Sequence, residues 1–126
     1  MEELTKTEEK VMHILWKLKK GFVKDIIAQM PDPQPPYNTI SSVVRILEKK
    51  GFVGFTAYGK THEYFPLISK FAYTKFTFRQ LLADYFEGSH EKVVSFMVKE
   101  ENLSEREIAE IKNIIAQGAK GQEDEQ

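Results

Sequence analysis

Tyr37-Asn38-Thr39-Ile40-Ser41-Ser42-Val43-Val44-Arg45-Ile46-Leu47-Glu48-Lys49-Lys50-Gly51 is the stretch from which the rest of the chain can be placed. Ile40, Val43, Val44 and Leu47 recur at i, i+3, i+4 and i+7, the spacing that gathers side chains into one stripe of a helix, so this stripe is expected to face a core. Asn38, Ser42, Arg45 and Lys49 fall on the opposite side, a face of small hydrogen-bonding groups that ends in positive charge. Gly51 supplies a left-handed stop. Asn38 is a plausible N-cap.

Just before this helix, Pro31-Asp32-Pro33-Gln34-Pro35-Pro36 holds four of the chain's five prolines. No helix or inner strand can run through it, because proline lacks the N–H both require. It reads as a stiff connector, with a polyproline ligand as the weaker alternative. Upstream, Leu4 to Lys20 reads as a first helix: Thr5 and Glu8 have capping-box spacing, Val11, Ile14, Leu15 and Leu18 form the buried stripe, and Met12 and Trp16 flank it. Val23 to Gln29 or Met30 reads as a short second helix. Downstream, Phe52 to Tyr58 and Thr61 to Leu67 are rich in aromatic and β-branched residues and are separated by Gly59-Lys60. That combination predicts a hairpin with a type II′ turn.

Three short helices followed by a hairpin make a winged helix, with the second and third helices as the helix-turn-helix and the hairpin as the wing. In this architecture the third helix is the one that lies in a DNA major groove. Lys60 then sits at the wing tip, His62 nearby, and Lys49 and Lys50 at the wing base, so phosphate contacts are expected to cluster around the recognition helix.

The remaining chain predicts three more helices. Ser69 to Phe86 carries Phe71, Tyr73, Phe76, Phe78, Tyr85 and Phe86 together with Leu81 and Leu82. After Gly88-Ser89, a fifth helix runs through Val93, Val94, Phe96, Met97 and Val98. Ser104 and Glu107 form a second capping box that opens a sixth, with Ile108, Ile111, Ile114 and Ile115 at helical spacing. Three apolar-faced helices with so little chain between them suggest that a second molecule completes their core. Packing on the winged helix of the same chain is the open alternative. The expected fold is therefore mainly α with a small β-hairpin: a winged-helix domain over residues 1–68, a helical dimerisation domain over 69–116, and a disordered tail over 117–126.

Composition is compatible with this and narrows the chemistry. At 126 residues and 41% hydrophobic content the chain can bury a core. Its net charge of −1 conceals an asymmetry: residues 1–99 carry fifteen basic and eleven acidic side chains, a balance of +4, whereas residues 100–126 carry three and eight, a balance of −5. Without cysteine there is no disulfide, thiolate metal site or cysteine nucleophile, and the three histidines, at 13, 62 and 90, are too scattered for a metal cluster. No metal or cofactor is expected. Met1-Glu2-Glu3-Leu4 lacks the basic start and apolar run of a secretory signal, and no run of about 18 apolar residues exists to span a membrane, so a cytoplasmic location is expected. No nucleophile motif, glycine-rich phosphate loop or His-Glu metal spacing supports an enzyme.

These features together resemble the penicillinase repressors, the BlaI/MecI family. The resemblance rests on Leu4-Thr5-Lys6-Thr7-Glu8 followed by Val11-Met12-His13-Ile14-Leu15-Trp16, on Tyr37-Asn38-Thr39-Ile40 leading to Leu47-Glu48-Lys49-Lys50-Gly51-Phe52-Val53, on Tyr64-Phe65-Pro66-Leu67, and on Leu103-Ser104. It implies a dimeric winged-helix repressor that binds a palindromic operator and blocks transcription. It places base contacts at Asn38, Thr39, Ser41 and Ser42, with Tyr37 at the helix entry. The family often has Arg directly before the residue matching Leu47; here that place is Ile46, and Arg45 lies one position earlier, turned by about 100°.

The DNA-contacting set is thus Tyr37, Asn38, Thr39, Ser41, Ser42, Arg45, Lys49, Lys50, Lys60 and His62. The dimerisation set is Phe76, Leu81, Leu82, Tyr85, Phe86, Val93, Val94, Phe96, Met97, Ile108, Ile111 and Ile115. In resistance members the resemblance further implies a membrane metalloprotease sensor that leads to cutting in the fifth helix, at the bond that corresponds to Ser95 and Phe96, although members known for the cut have Asn where this chain has Ser95. Taken by itself, Phe96 is a dimer-core residue. The competing function is a winged-helix module that binds protein through its wing and aromatic fourth helix, without sequence-specific DNA binding.

Overall fold

A computed structural model of the chain describes the backbone of residues 1–125 and the side chains of residues 1–119. Thr5 opens the first helix, α1 (Lys6–Leu18): its hydroxyl accepts from the Glu8 N–H at 3.2 Å while Glu8 accepts from the Thr5 N–H at 2.9 Å, so two orphan donors are satisfied reciprocally. α1 stops earlier than expected, at Lys19, which takes φ 73°. Gly21, two residues further on, is bound to the hairpin. It exchanges two backbone hydrogen bonds with Tyr64, at 2.8 and 2.9 Å, and so gives the hairpin a third, one-residue partner.

α2 (Val23–Ala28) is short and buries Val23 and Ile26. The proline connector leads to α3 (Tyr37–Lys49), whose N-cap is Pro36 rather than Asn38. The extended Pro36 backbone lets its carbonyl accept from the Thr39 N–H at 3.1 Å, which leaves the Asn38 side chain exposed and without a capping role. Ile40, Val44 and Leu47 are at most 1% exposed and Val43 packs at their edge, as the stripe requires. Gly51, at φ 81°, closes the helix.

β1 (Val53–Tyr58) and β2 (Thr61–Pro66) pair antiparallel with Tyr58 opposite Thr61 across the Gly59-Lys60 turn. Gly59 takes φ 63° and Lys60 keeps a negative φ, the combination of a type II′ turn. The core gathers Val11, Met12, Leu15, Ile26, the α3 stripe, Phe52 and Val53.

α4 (Lys70–Phe86) is capped by the Ser69 hydroxyl, α5 (His90–Glu100) by that of Ser89, and α6 (Glu105–Glu125) by the Ser104–Glu107 capping box. α6 runs on where a disordered tail is expected from residue 117: its backbone continues helical through Glu125, over helix formers such as Ala116, Ala119 and Lys120 and with no proline to stop it. Gln126 lies outside the described residues. The chain divides into two compact units, Met1–Phe78 and Arg79–Gln126, that meet inside α4 rather than at residue 68.

The reason for that boundary is the first two turns of α4. Tyr73 is 4% exposed and packs against Phe52 and Trp16, its hydroxyl accepts from the Leu4 N–H at 2.9 Å, and Trp16 Nε1 donates to the Ile68 carbonyl. Phe76, expected in the dimer set, packs instead on this winged-helix core, with its ring 5.9 Å from that of Tyr73.

Candidate nucleic-acid interface

The outward face of α3 presents Asn38, Thr39, Ser42, Arg45 and Lys49 exposed, and Tyr37 is 56% exposed at its entry. None of these is held in a core contact, because the burial of Ile40, Val44 and Leu47 fixes the rotation of the helix and turns them out. The flank of α3 nearest the wing carries Tyr37, Ser41, Arg45 and Glu48, which share with Phe55, Lys60, His62 and Tyr64 of the hairpin a cleft of about 330 Å³.

The wing side of this cleft is set by strand alternation. Phe55 faces Tyr64 and Ala57 faces His62 across the ladder, which puts Phe55, His62 and Tyr64 on one side of the hairpin. The His62 ring stacks on Phe55, centroids 4.1 Å apart and planes within 9°. His62 therefore reaches the cleft as part of an aromatic wall and is half-buried, whereas Lys60 stands exposed at the tip. Burial first, and the neighbouring Glu48 carboxylate second, push the Tyr64 phenol above its ordinary pKa, so it stays neutral in the cleft.

Lys50 does not join this surface. Its ammonium donates to both carboxylate oxygens of Glu8, at 2.8 and 3.0 Å, and Glu8 is 4% exposed. Burial alone raises the Glu8 carboxyl, but the Lys50 hydrogen bond, the Thr5 N–H and the Lys50 charge together outweigh it and hold the group below the usual carboxylate range. The Lys50 ammonium is raised, first by that hydrogen bond. Lys50 is expected to touch phosphate; it instead ties the end of the recognition helix to the start of α1. Glu48 and Phe55, which the sequence reading did not single out, line the cleft. Glu48 follows Arg45 by one helical turn and was legible in that spacing; Phe55 needed the strand register.

In the second unit, Val94, Met97, Val98, Leu103, Ile108 and Ile111 line an apolar groove of about 360 Å³, together with Ile115 and Lys112. Leu81, Tyr85, Phe86 and Phe96 border a separate apolar hollow, in which the Phe86 and Phe96 rings meet edge to face at 5.5 Å. Tyr85 is 77% and Ile115 59% exposed, and Val93 is half-buried. Leu82, by contrast, is buried within its own chain at 7%. Ser95 and Phe96 are both exposed, near the middle of α5. Among the described residues no helix is long and apolar enough to cross a membrane.

A helix-turn-helix whose second helix turns polar and cationic groups outward beside a hairpin with a lysine at its tip defines a winged-helix DNA-binding protein. The model of the penicillinase repressor family matches residues 4–117. The methicillin resistance regulatory protein MecI of Staphylococcus aureus strain N315 is 30% identical over 115 residues, 90% of this chain and 93% of its own, and MecI of Mammaliicoccus sciuri matches at the same identity and coverage. A solved CopR repressor structure, 26% identical, aligns over its whole length with 54% of this chain at a TM-score of 0.44. The chain belongs to the penicillinase repressor family; it is a DNA-binding transcriptional repressor and not an enzyme.

Proposed function

We propose that the protein represses transcription as a homodimer on a palindromic operator, with one α3 in the major groove of each half-site. The observation that carries this reading is the free outward face of α3. Asn38, Thr39, Ser41 and Ser42 offer short donors and acceptors for base edges, while Lys49 on the outer face of α3 and Lys60 at the wing tip supply counterion-releasing phosphate contacts. Tyr37 and His62 close the cleft from its two sides. The apolar groove of the second unit supports the dimer: Val94, Met97, Ile108, Ile111 and Ile115 lie on surface that a soluble monomer would leave wet.

A gel-shift titration on the fragment upstream of the protein's own gene tests this. Binding is expected to weaken steeply between 50 and 200 mM salt, on the order of a thousandfold for six phosphate contacts. Ser42→Ala should relax sequence preference more than Lys60→Ala does, and Lys60→Ala should lower affinity evenly across sequences. Equal affinity for that fragment and for random duplex would overturn the proposal.

Relief of repression by cutting between Ser95 and Phe96 is part of the same proposal. The cut would sever α5 and detach Phe96 from Phe86 in the apolar surface assigned to the partner. Co-expression with a membrane metalloprotease sensor should yield fragments ending at Ser95 and beginning at Phe96; an intact chain after induction removes this step.

A further inference from the structure

The outward face of α3 contains one arginine, and its surroundings decide between the two things an arginine does on DNA. Arg45 is exposed, and among the described residues it takes part in no ion pair, so its five donors are uncommitted. It lies two turns after Tyr37 and one after Ser41, on the same flank of the helix, and lines the wing cleft with both. Glu48, one turn further on, lines the same cleft. A phosphate entering there would approach the Glu48 carboxylate and be repelled at close range. A neutral base edge meets no such penalty. Phosphate contacts have other sites, at Lys49 on the outermost face, outside the cleft, and at Lys60, which borders the cleft from the exposed wing tip; neither is tied to a carboxylate as Lys50 is to Glu8.

The neighbour of Arg45 cannot share its role. Ile46 is 45% exposed on the flank turned away from the wing, and offers no donor at all. The only guanidinium of the helix is thus aimed toward the wing side, where Tyr37 and Ser41 already line up toward the helix N-terminus, the end that enters a groove.

We propose that Arg45 is a specificity-determining residue that reads a guanine through a bidentate contact to O6 and N7 in each half-site, with Glu48 keeping phosphate away from the α3 side of the cleft. The assignment rests on the reading of α3 as a helix that lies in the major groove. Bidentate arginine-to-guanine contacts discriminate by roughly 5- to 150-fold against a wrong base, the range that 1–3 kcal/mol corresponds to. Lysine cannot reproduce the fork.

The test is selection of bound sequences from a random duplex pool by the full-length protein and by R45A, R45K and E48Q, followed by affinity measurements on the winning site across a salt series. The wild-type pool should contain one guanine per half-site whose preference collapses in R45A and is partly kept in R45K, while the salt slope changes by less than one unit. E48Q should bind random duplex more tightly and keep the guanine. If R45A instead leaves the selected motif unchanged, lowers affinity evenly and reduces the salt slope by about two, one for each subunit, Arg45 holds a phosphate and the assignment falls. A wild-type pool with no enriched motif overturns the major-groove reading itself and the assignment with it. The melting temperature of R45A, an exposed substitution, should match that of the wild type and so separates both outcomes from misfolding.

Discussion

At the scale of single residues, the ion pair between Glu8 and Lys50 joins the start of α1 to the end of α3. Glu8 serves two partners at once: its carboxylate closes the capping box of α1 and receives both hydrogen bonds from the Lys50 ammonium. Glu8→Ala removes the cap's return bond, a loss expected to cost about 1 kcal/mol in urea unfolding, and leaves the Lys50 ammonium without its partner. The pH dependence has two arms. The Glu8 carboxyl ionises lower in the folded chain than in the unfolded one, so its contribution is complete above the unfolded pKa of about 4.3 and is lost as pH falls through the folded value. The Lys50 ammonium is raised, so its contribution is present below about 10.4 and is lost as pH rises through the higher folded value. Wild type and Glu8→Ala should therefore differ by a constant amount through the neutral range and converge at acid pH; a difference that persists well below the folded carboxyl value would assign the effect to packing rather than charge.

At the scale of elements, what was legible in the sequence was local. The α3 stripe, the two capping boxes, the proline connector and the Gly59-Lys60 turn are each written within about ten residues, and each stands where its pattern places it. What was hidden joins residues far apart in the chain. Tyr73 meets Leu4 across 69 positions, Trp16 meets Ile68 across 52, and Lys50 meets Glu8 across 42; no periodicity in α4 distinguishes Tyr73 and Phe76, which face the winged-helix core, from Phe71 and Phe78, which are exposed. The same division applies to the interface. Helical spacing was enough to place Asn38, Ser42 and Lys49 on one face, but separating Lys49 from Lys50 required the carboxylate that takes Lys50 inward. The wing offers a test at this scale. A Cβ at Gly59 meets no atom within 4 Å, so the cost of Gly59→Ala lies in the backbone at φ 63° and should be about 1–2 kcal/mol. Lys60→Ala, with an ordinary φ and an exposed side chain, should leave unfolding unchanged and weaken DNA binding; a loss of stability in Lys60→Ala, or none in Gly59→Ala, would mean that the turn is not held as described.

At the scale of the whole molecule, the two units differ in how far they satisfy themselves. The first contains thirteen buried core residues, including the whole hydrophobic stripe of α3 apart from its edge. In the second, α5 has no buried residue, and isoleucines of α6 remain open to solvent, Ile114 at 66% and Ile115 at 59%. Helices with apolar faces derive most of their stability from packing those faces, and the apolar faces this unit leaves open fit the proposed pairing with a second copy. Charge is divided in the same way: most of the acidic excess of residues 100–126 sits on α6, far along the chain from the cationic face of α3, and would disfavour its contact with phosphate. If a second copy fills the groove, Ile115→Glu should leave the winged-helix unit folded and convert the protein to a monomer in sedimentation equilibrium. Each recognition helix would then bind its half-site alone, and operator affinity should fall by 10²–10⁴-fold, the contribution of linking two sites. A variant that remains dimeric, or one that becomes monomeric and still binds the full operator with wild-type affinity, would show that pairing through this groove is not what couples the two half-sites.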